Sequence, residues 1–331
     1  MSGIENRKRI ESLYVLKAIC AFFVVSIHVP VTSPLMMSIA GVGTPCFLCI
    51  TGYLLFSENT DRELKKCKAW AIKTFWLAVV FNLLYGVINF YVFGAVFPLH
   101  SKRFYIYLLF FGTGMHHALW YLTALCEALM ILYCIIRYAP RLIYGLPLLY
   151  VFAFVLRNIG DGYYFESLSL YSATIRNTCI VTTLPFLATG YLLHKYQQYM
   201  LRAINVNLTL SVFLVLALVE VYVRKVYNIP QSFFLVCTYP LVVLLMLFCV
   251  QHSSFTVPVL GNIGKNHSPN IYYFHGLFIS ILEMATAKDW SSISFAFVVY
   301  MLCLPCSFMY NFLSSFWKKY VWEPVLNRVY S

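Results

Sequence analysis

Residues Tyr14 to Pro30 read YVLKAICAFFVVSIHVP, an apolar run whose two ionisable side chains are Lys17 and His28. Its length is that of a membrane-spanning helix. Eleven positions separate the two, about three turns at ~100° per residue, so they share nearly the same face roughly 16 Å apart. Lys17 can snorkel to the nearer interface on its long stem. His28, about one turn from the other end, snorkels poorly. A polar side chain there ordinarily faces a bundle interior or a water-filled cavity, which makes it a candidate site residue.

The rest of the chain repeats this character. Of 331 residues 61% are hydrophobic, 18% aromatic and only 11% charged, and mean hydropathy is +0.75. Soluble domains carry roughly 25% charged residues. Apolar runs near 20 residues recur where a barrel would alternate in ~10-residue segments, so the expected fold is an all-α membrane bundle. The N-terminal segment MSGIENRKRIESLY is basic, and no small-residue cleavage site follows the first apolar run, so that run is read as a retained span. The net charge of +12 is spread over short loops, as the positive-inside bias requires, and does not mark a nucleic-acid binder. Cys46 and Cys49, like Cys303 and Cys306, have CxxC spacing without a partnering His or second pair, and read as apolar filler.

Ten spans fit, at about 13–31, 36–56, 74–97, 118–136, 142–156, 177–193, 205–223, 233–250, 270–287 and 293–315. Seventeen Lys and Arg then fall on the side of the termini and seven on the other, which places both termini in the cytoplasm. No internal repeat is expected. The chain reads as one domain, 1–331, with no appended soluble domain.

Several stretches between these spans carry candidate residues. SENTDRELKKCKAWAIK, residues 57–73, reads as an amphipathic surface helix. Its Lys65, Lys66, Lys68 and Lys73 suit lipid headgroups or an anionic cytosolic ligand. The segment from Phe104 to His117 is too broken for a span and reads as re-entrant or interfacial. Trp120 suits an aromatic belt or a site, and Glu127, seven residues on, shares its face near mid-membrane. Arg176–Asn177 at the start of the sixth span is an anchor or an anion and sugar contact. Glu220 lies a turn from Arg224 and suits a local ion pair. GNIGKNHSPN, within the cytoplasmic loop 251–270, is a weak phosphate-loop signal, and no GxxxxGK[ST] exists. His275 follows as an interhelical donor or a catalyst. No metal-ligand spacing is present, so no metal is expected.

Intramembrane His28, Glu127 and His275 suit a proton-coupled exporter of a glycolipid or small metabolite, or an enzyme working within the membrane. A transferase fits the asymmetry better. A cationic cytoplasmic mouth attracts an anionic activated donor, and an imidazole near the other face can activate an acceptor hydroxyl.

Five stretches resemble, in order, the motifs of the acyltransferase-3 family of integral membrane O-acyltransferases. Lys17-x10-His28 is similar to that family's Arg/Lys-x10-His in the first span. Pro45 to Leu55, PCFLCITGYLL, is similar to P-x-F-F-x-x-S-G-Y, and His116 to Leu122, HHALWYL, to H-L-W-F-L. Ile175 to Leu193, IRNTCIVTTLPFLATGYLL, is similar to R-N…P-F-F-x-x-G-Y. Leu260 to Ile279, LGNIGKNHSPNIYYFHGLFI, is similar to L-G-x-x-S-x-x-I-Y-x-x-H.

The resemblance implies about ten transmembrane helices in a bacterial-type cytoplasmic membrane. It also implies transfer of an acyl group, commonly acetyl from acetyl-CoA, to a carbohydrate or glycolipid hydroxyl of the cell envelope. His28 takes the place of the essential histidine and Lys17 of its basic partner. Lys73, Lys65, Lys66, Lys68 and His275 are then expected on the donor side. Trp120, His117, Arg176, Asn177 and Glu127 are expected on the acceptor side. Three positions depart from the family pattern: Thr51 replaces Ser, Pro269 replaces Leu, and Trp70 stands where the first Arg of an Arg-x-x-Arg pair belongs, with Lys73 at the second.

Overall fold

The computed structural model describes residues 10–29, 33–94, 97, 101–110, 115–159, 178–229, 235–285 and 292–317. Among them there is no strand, and six helical stretches are long and apolar enough to cross a membrane. Arg176 and Asn177 lie outside the described residues.

The first span is helix α1, Glu11–His28, and it ends at the histidine itself. The second is two helices, α2 (Pro34–Ala40) and α3 (Gly43–Leu55), divided at Gly41 and Val42. The surface helix and third span are not separate elements. Helix α4 runs unbroken over Thr60–Tyr91, 32 residues, because no Pro and no Gly before Gly86 interrupts it. Its start is fixed by Asn59, whose side-chain oxygen accepts the Arg62 N–H at 3.0 Å, with Asp61 and Glu63 in the first turn complementing the dipole. Helix α5 (Lys102–Leu109) and a 3-10 turn (His117–Leu119) lead to α6, Trp120–Tyr138. The stretch expected as a span at 142–156 is broken. Pro140, Gly145 and Pro147 give two 3-10 turns before α7, Leu149–Ile159. A π-helical turn, Cys179–Thr183, opens into α8 (Leu184–Ala203), followed by α9 (Val206–Val226) and α10 (Thr238–Gln251). The expected loop 251–270 contains α11, Pro258–Asn266, before α12 (Ser268–Ala285) and α13 (Ser292–Trp317).

Packing begins with α3 against α8. Each carries the pentapeptide TGYLL, at 51–55 and 189–193, a short internal repeat that the spans alone do not suggest. A Cβ on Gly52 would lie 1.9 Å from the Leu187 carbonyl oxygen, and one on Gly190 would lie 1.8 Å from that of Cys49. The two backbones therefore touch symmetrically, each glycine over the residue three before the other, as small-residue crossings allow in membranes. The tyrosines extend the pairing: the Tyr53 hydroxyl donates to Gln197 at 2.6 Å, and that of Tyr191 to Glu63 at 3.1 Å. Around this pair sits the larger apolar core, into which Cys46 and Cys49 are packed.

Helix α1 occupies the middle of the bundle, packed on α2, α3, α10, α11, α12 and α13. Helices α4 and α6 form a second tight pair beside it. Glu220 and Arg224 of α9 pair at 3.1 Å, as their spacing indicates, and Glu220 also accepts the Val236 N–H at 2.9 Å.

Candidate active site

The face of α1 that carries Lys17 and His28 joins two different environments. At the lysine end, a cavity of about 310 Å³ is lined by Lys17, Thr51, Trp70, Lys73, Tyr121 and Tyr272, among mostly apolar side chains. Helix α3 supplies Thr51, whose hydroxyl donates to the Phe47 carbonyl at 2.9 Å and also hydrogen-bonds Tyr121. All three positions that depart from the family pattern, Thr51, Trp70 and Pro269, line this space.

At the histidine end, four imidazoles from three parts of the chain stand in a row. The His28 ring lies 5.1 Å from that of His275 and 5.4 Å from that of His117, and His117 stacks on His116 at 4.5 Å. His275 is fully buried, His28 and His116 are partly buried, and His117 is exposed.

Hydrogen bonding fixes the tautomers of the two outer members. His275 Nδ1 lies 2.7 Å from the Tyr272 carbonyl oxygen, which can only accept. Nδ1 therefore carries the proton, and the buried Nε2 keeps a lone pair with no partner. His116 Nδ1 accepts the Ala118 N–H at 3.2 Å as the cap of the 3-10 turn, so in the neutral ring the proton sits on Nε2. One end of the row presents an acceptor nitrogen and the other a donor.

Tyr85 of α4 holds this arrangement. Its hydroxyl accepts the Leu277 N–H at 2.9 Å and donates to the Tyr273 carbonyl at 3.0 Å. Those two backbone groups are i→i−4 partners in a regular helix. The phenol is thus spliced into α12 around His275, and its ring packs 4.8 Å from His116. Gly276 makes room for that contact, since a Cβ there would lie 2.5 Å from His116 Cε1. Tyr85→Phe removes the bridge and is expected to lower turnover roughly tenfold with donor KM unchanged, because sub-ångström misplacement near a reacting group is costly. Steady-state kinetics with both substrates varied checks this.

The cavity and the histidine row meet at Tyr272. That residue lines the cavity, its carbonyl holds His275, and its ring lies 5.6 Å from the imidazole. Its ring also lies 5.0 Å from that of Tyr121, and its hydroxyl bonds the Ala118 carbonyl. Val24 of α1 lines the cavity as well, one turn or about 6 Å short of His28.

The structure thus gathers Lys17 with Lys73, and His28 with His117 and His275. It puts His275 at the His28 end and not beside the lysines expected to meet the donor. Trp120 is partly buried edge-on to Tyr121 at 6.3 Å, but it is Tyr121 that lines the cavity. Lys65 and Lys68 are exposed on the first turns of α4. Lys66 instead caps α3, its ammonium donating to the carbonyls of Leu54, Leu55 and Phe56 at 3.1, 3.1 and 3.4 Å. Glu127 lines a separate groove between α4 and α6 and accepts from the Cys179 thiol. Sequence reasoning missed Tyr85, His116, Tyr121 and Tyr272. Three of these lie inside stretches already singled out, HHALWYL and NIYYFHG, while Tyr85 has no local signal.

A family model described as an acyltransferase domain matches residues 10–312. No curated protein and no solved structure gives a match.

Proposed function

The chain belongs to the acyltransferase-3 family, and from that premise we propose that it moves an acyl group, acetyl in the simplest case, from cytosolic acyl-CoA to a sugar hydroxyl of an envelope polysaccharide, glycolipid or lipid-linked precursor. The observation that supports this reading is the two-ended face of α1, with Lys17 in a cavity shared with Lys73 at one end and His28 among imidazoles at the other. In this reading ten spans leave both termini in the cytoplasm of a bacterial-type cell. The lysine end then faces acyl-CoA and the histidine end the acceptor.

The acceptor hydroxyl gives its proton to His28 as its oxygen attacks the thioester carbonyl. The C–S bond breaks, and the departing thiolate takes the proton back from the imidazolium, leaving ester and free CoA thiol. His275, its ring 5.1 Å from that of His28 and its Nε2 unpartnered, packs against the His28 ring and offers a second base to the proton. Lys17 and Lys73 attract the anionic donor, and Lys65 and Lys68 extend the positive field along α4. The thioester reaches His28 past Tyr121 and Tyr272, the two tyrosines of the cavity wall.

Lys17→Ala and Lys73→Ala are each expected to raise the donor KM about tenfold, the size of a lost charge-assisted contact, with smaller effects on acceptor KM. The test of the function itself is stoichiometric. Purified protein with acetyl-CoA should release CoA only when an acceptor glycoside is present, one ester per CoA. Flux of a glycolipid driven by a pH gradient, with no CoA turnover, would overturn the reading in favour of an exporter.

A further inference from the structure

A second concave surface, on the far side of α6 from the cavity, lies unused by this mechanism. Between α4 and α6 run two connected chambers of about 600 and 320 Å³, sharing Phe75, Cys126 and Met130. From Cys67 to Leu83 they follow seventeen residues of α4, about 24 Å, more than the ~15 Å hydrocarbon depth of one leaflet. The lysine-end chamber is walled by Ile72, Phe75, Trp76 and Met130, all exposed. The histidine-end chamber differs. It contains Asn82, Thr123 and Glu127 in an apolar wall, and no basic residue.

Two of these polar groups are acceptors lacking a matching donor of ordinary strength. Asn82 is 8% exposed; its amide N–H donates to the Ala78 carbonyl at 2.8 Å, and its Oδ1 has no partner. Glu127 accepts from a thiol, a weak donor. A buried acceptor such as Asn82 Oδ1 is costly unless something brings it hydrogen, and the half-buried Glu127 adds a second acceptor in the same chamber. The phosphate of a phospholipid brings further acceptors, whereas a head bearing hydroxyl groups brings donors. The same chamber is bordered by Met115, the residue immediately before His116 of the histidine row.

We propose that the α4–α6 groove binds a lipid-anchored glycoside, its tail in the lysine-end chamber and the first sugar at Asn82 and Glu127. The acceptor is then delivered to the histidines from within the membrane. This rests on the transferase reading for the use made of the sugar, but binding itself does not.

The test uses full-length protein in phosphatidylcholine nanodiscs and two photoreactive probes with the same sixteen-carbon diazirine chain, an alkyl glucoside and a phosphatidylethanolamine. The glucoside should label peptides containing Phe75 or Met130 at least fivefold more than the phosphatidylethanolamine does. Asn82→Leu, Glu127→Gln and the groove-filling Ala78→Phe should each reduce that labelling at least fivefold, while Leu214→Ala on the lipid face of α9 leaves it unchanged. Glu127→Gln and Ala78→Phe decide the matter if Asn82→Leu does not fold. Equal labelling by both probes, insensitive to these substitutions, would mean bulk lipid only. Stronger labelling by the phosphatidylethanolamine would mean an amine-lipid site; either result overturns the proposal. CoA release with the alkyl glucoside is read separately, so an inactive protein that still binds the glucoside condemns the transferase reading and not the groove.

Discussion

His28→Ala is expected to abolish acyl transfer, with kcat falling at least about 100-fold and donor binding retained. General-base catalysis by a positioned imidazole is commonly worth 10²–10⁴-fold, and the neighbouring rings cannot replace this one. His275 keeps a lone pair on Nε2, but it is fully buried, deeper in the core than His28. His116 faces the row with its lone pair committed to the Ala118 N–H. His117 is exposed, and its ring lies 5.4 Å from that of His28. The truncation removes a partly buried ring at a helix end, so the fold should survive it. Equilibrium binding of acetyl-CoA separates lost chemistry from lost structure.

Gly190→Val is expected to prevent accumulation of folded protein, and Gly52→Val to do the same. A Cβ at either position would sit within 2 Å of a carbonyl oxygen on the partner helix. No rotamer change relieves that overlap, because the obstructing atoms are backbone. The helices must separate, and in separating they disturb Thr51 at the cavity wall and the Tyr53–Gln197 and Tyr191–Glu63 hydrogen bonds. Losses above ~4 kcal/mol are exceptional for point substitutions and come from overpacking of this kind. Thermal melting in detergent measures it, with Gly145→Ala as the control, since a Cβ there meets nothing closer than 3.6 Å.

Much of the candidate face was legible from spacing. Eleven residues in a helix put Lys17 and His28 on one face, and α1 is straightforward enough a helix for that rule to hold. Lys73 was legible as a cation near the lysine end, but its access to the cavity depends on α4 continuing unbroken from surface into span. Helical rotation misled where neighbours compete: Trp120 and Tyr121 differ by about 100° in direction, and packing of α6 on α4 turns Tyr121 inward. Lys66 looks identical to Lys65 and Lys68 in sequence, yet it lies opposite the end of α3 and caps it. Glu127 shares a helical face with Trp120, but that face borders the α4–α6 groove. The role of Tyr85 was not legible at all, because it depends on a contact 192 residues away at Leu277. The repeated TGYLL was visible in the letters, but its meaning lies in the mutual position of two helices.

The most direct measurement is the structure of the protein with a thioether ketone analogue of acetyl-CoA, in which sulfur cannot leave. Nucleotide phosphates are expected near Lys73, and a ketone carbon within about 6 Å of the His28 ring, the sum of one attack distance and one hydrogen bond. A carbonyl held two helical turns or more from His28, about 11 Å, with Tyr121 and Tyr272 closed between them, would contradict this mechanism.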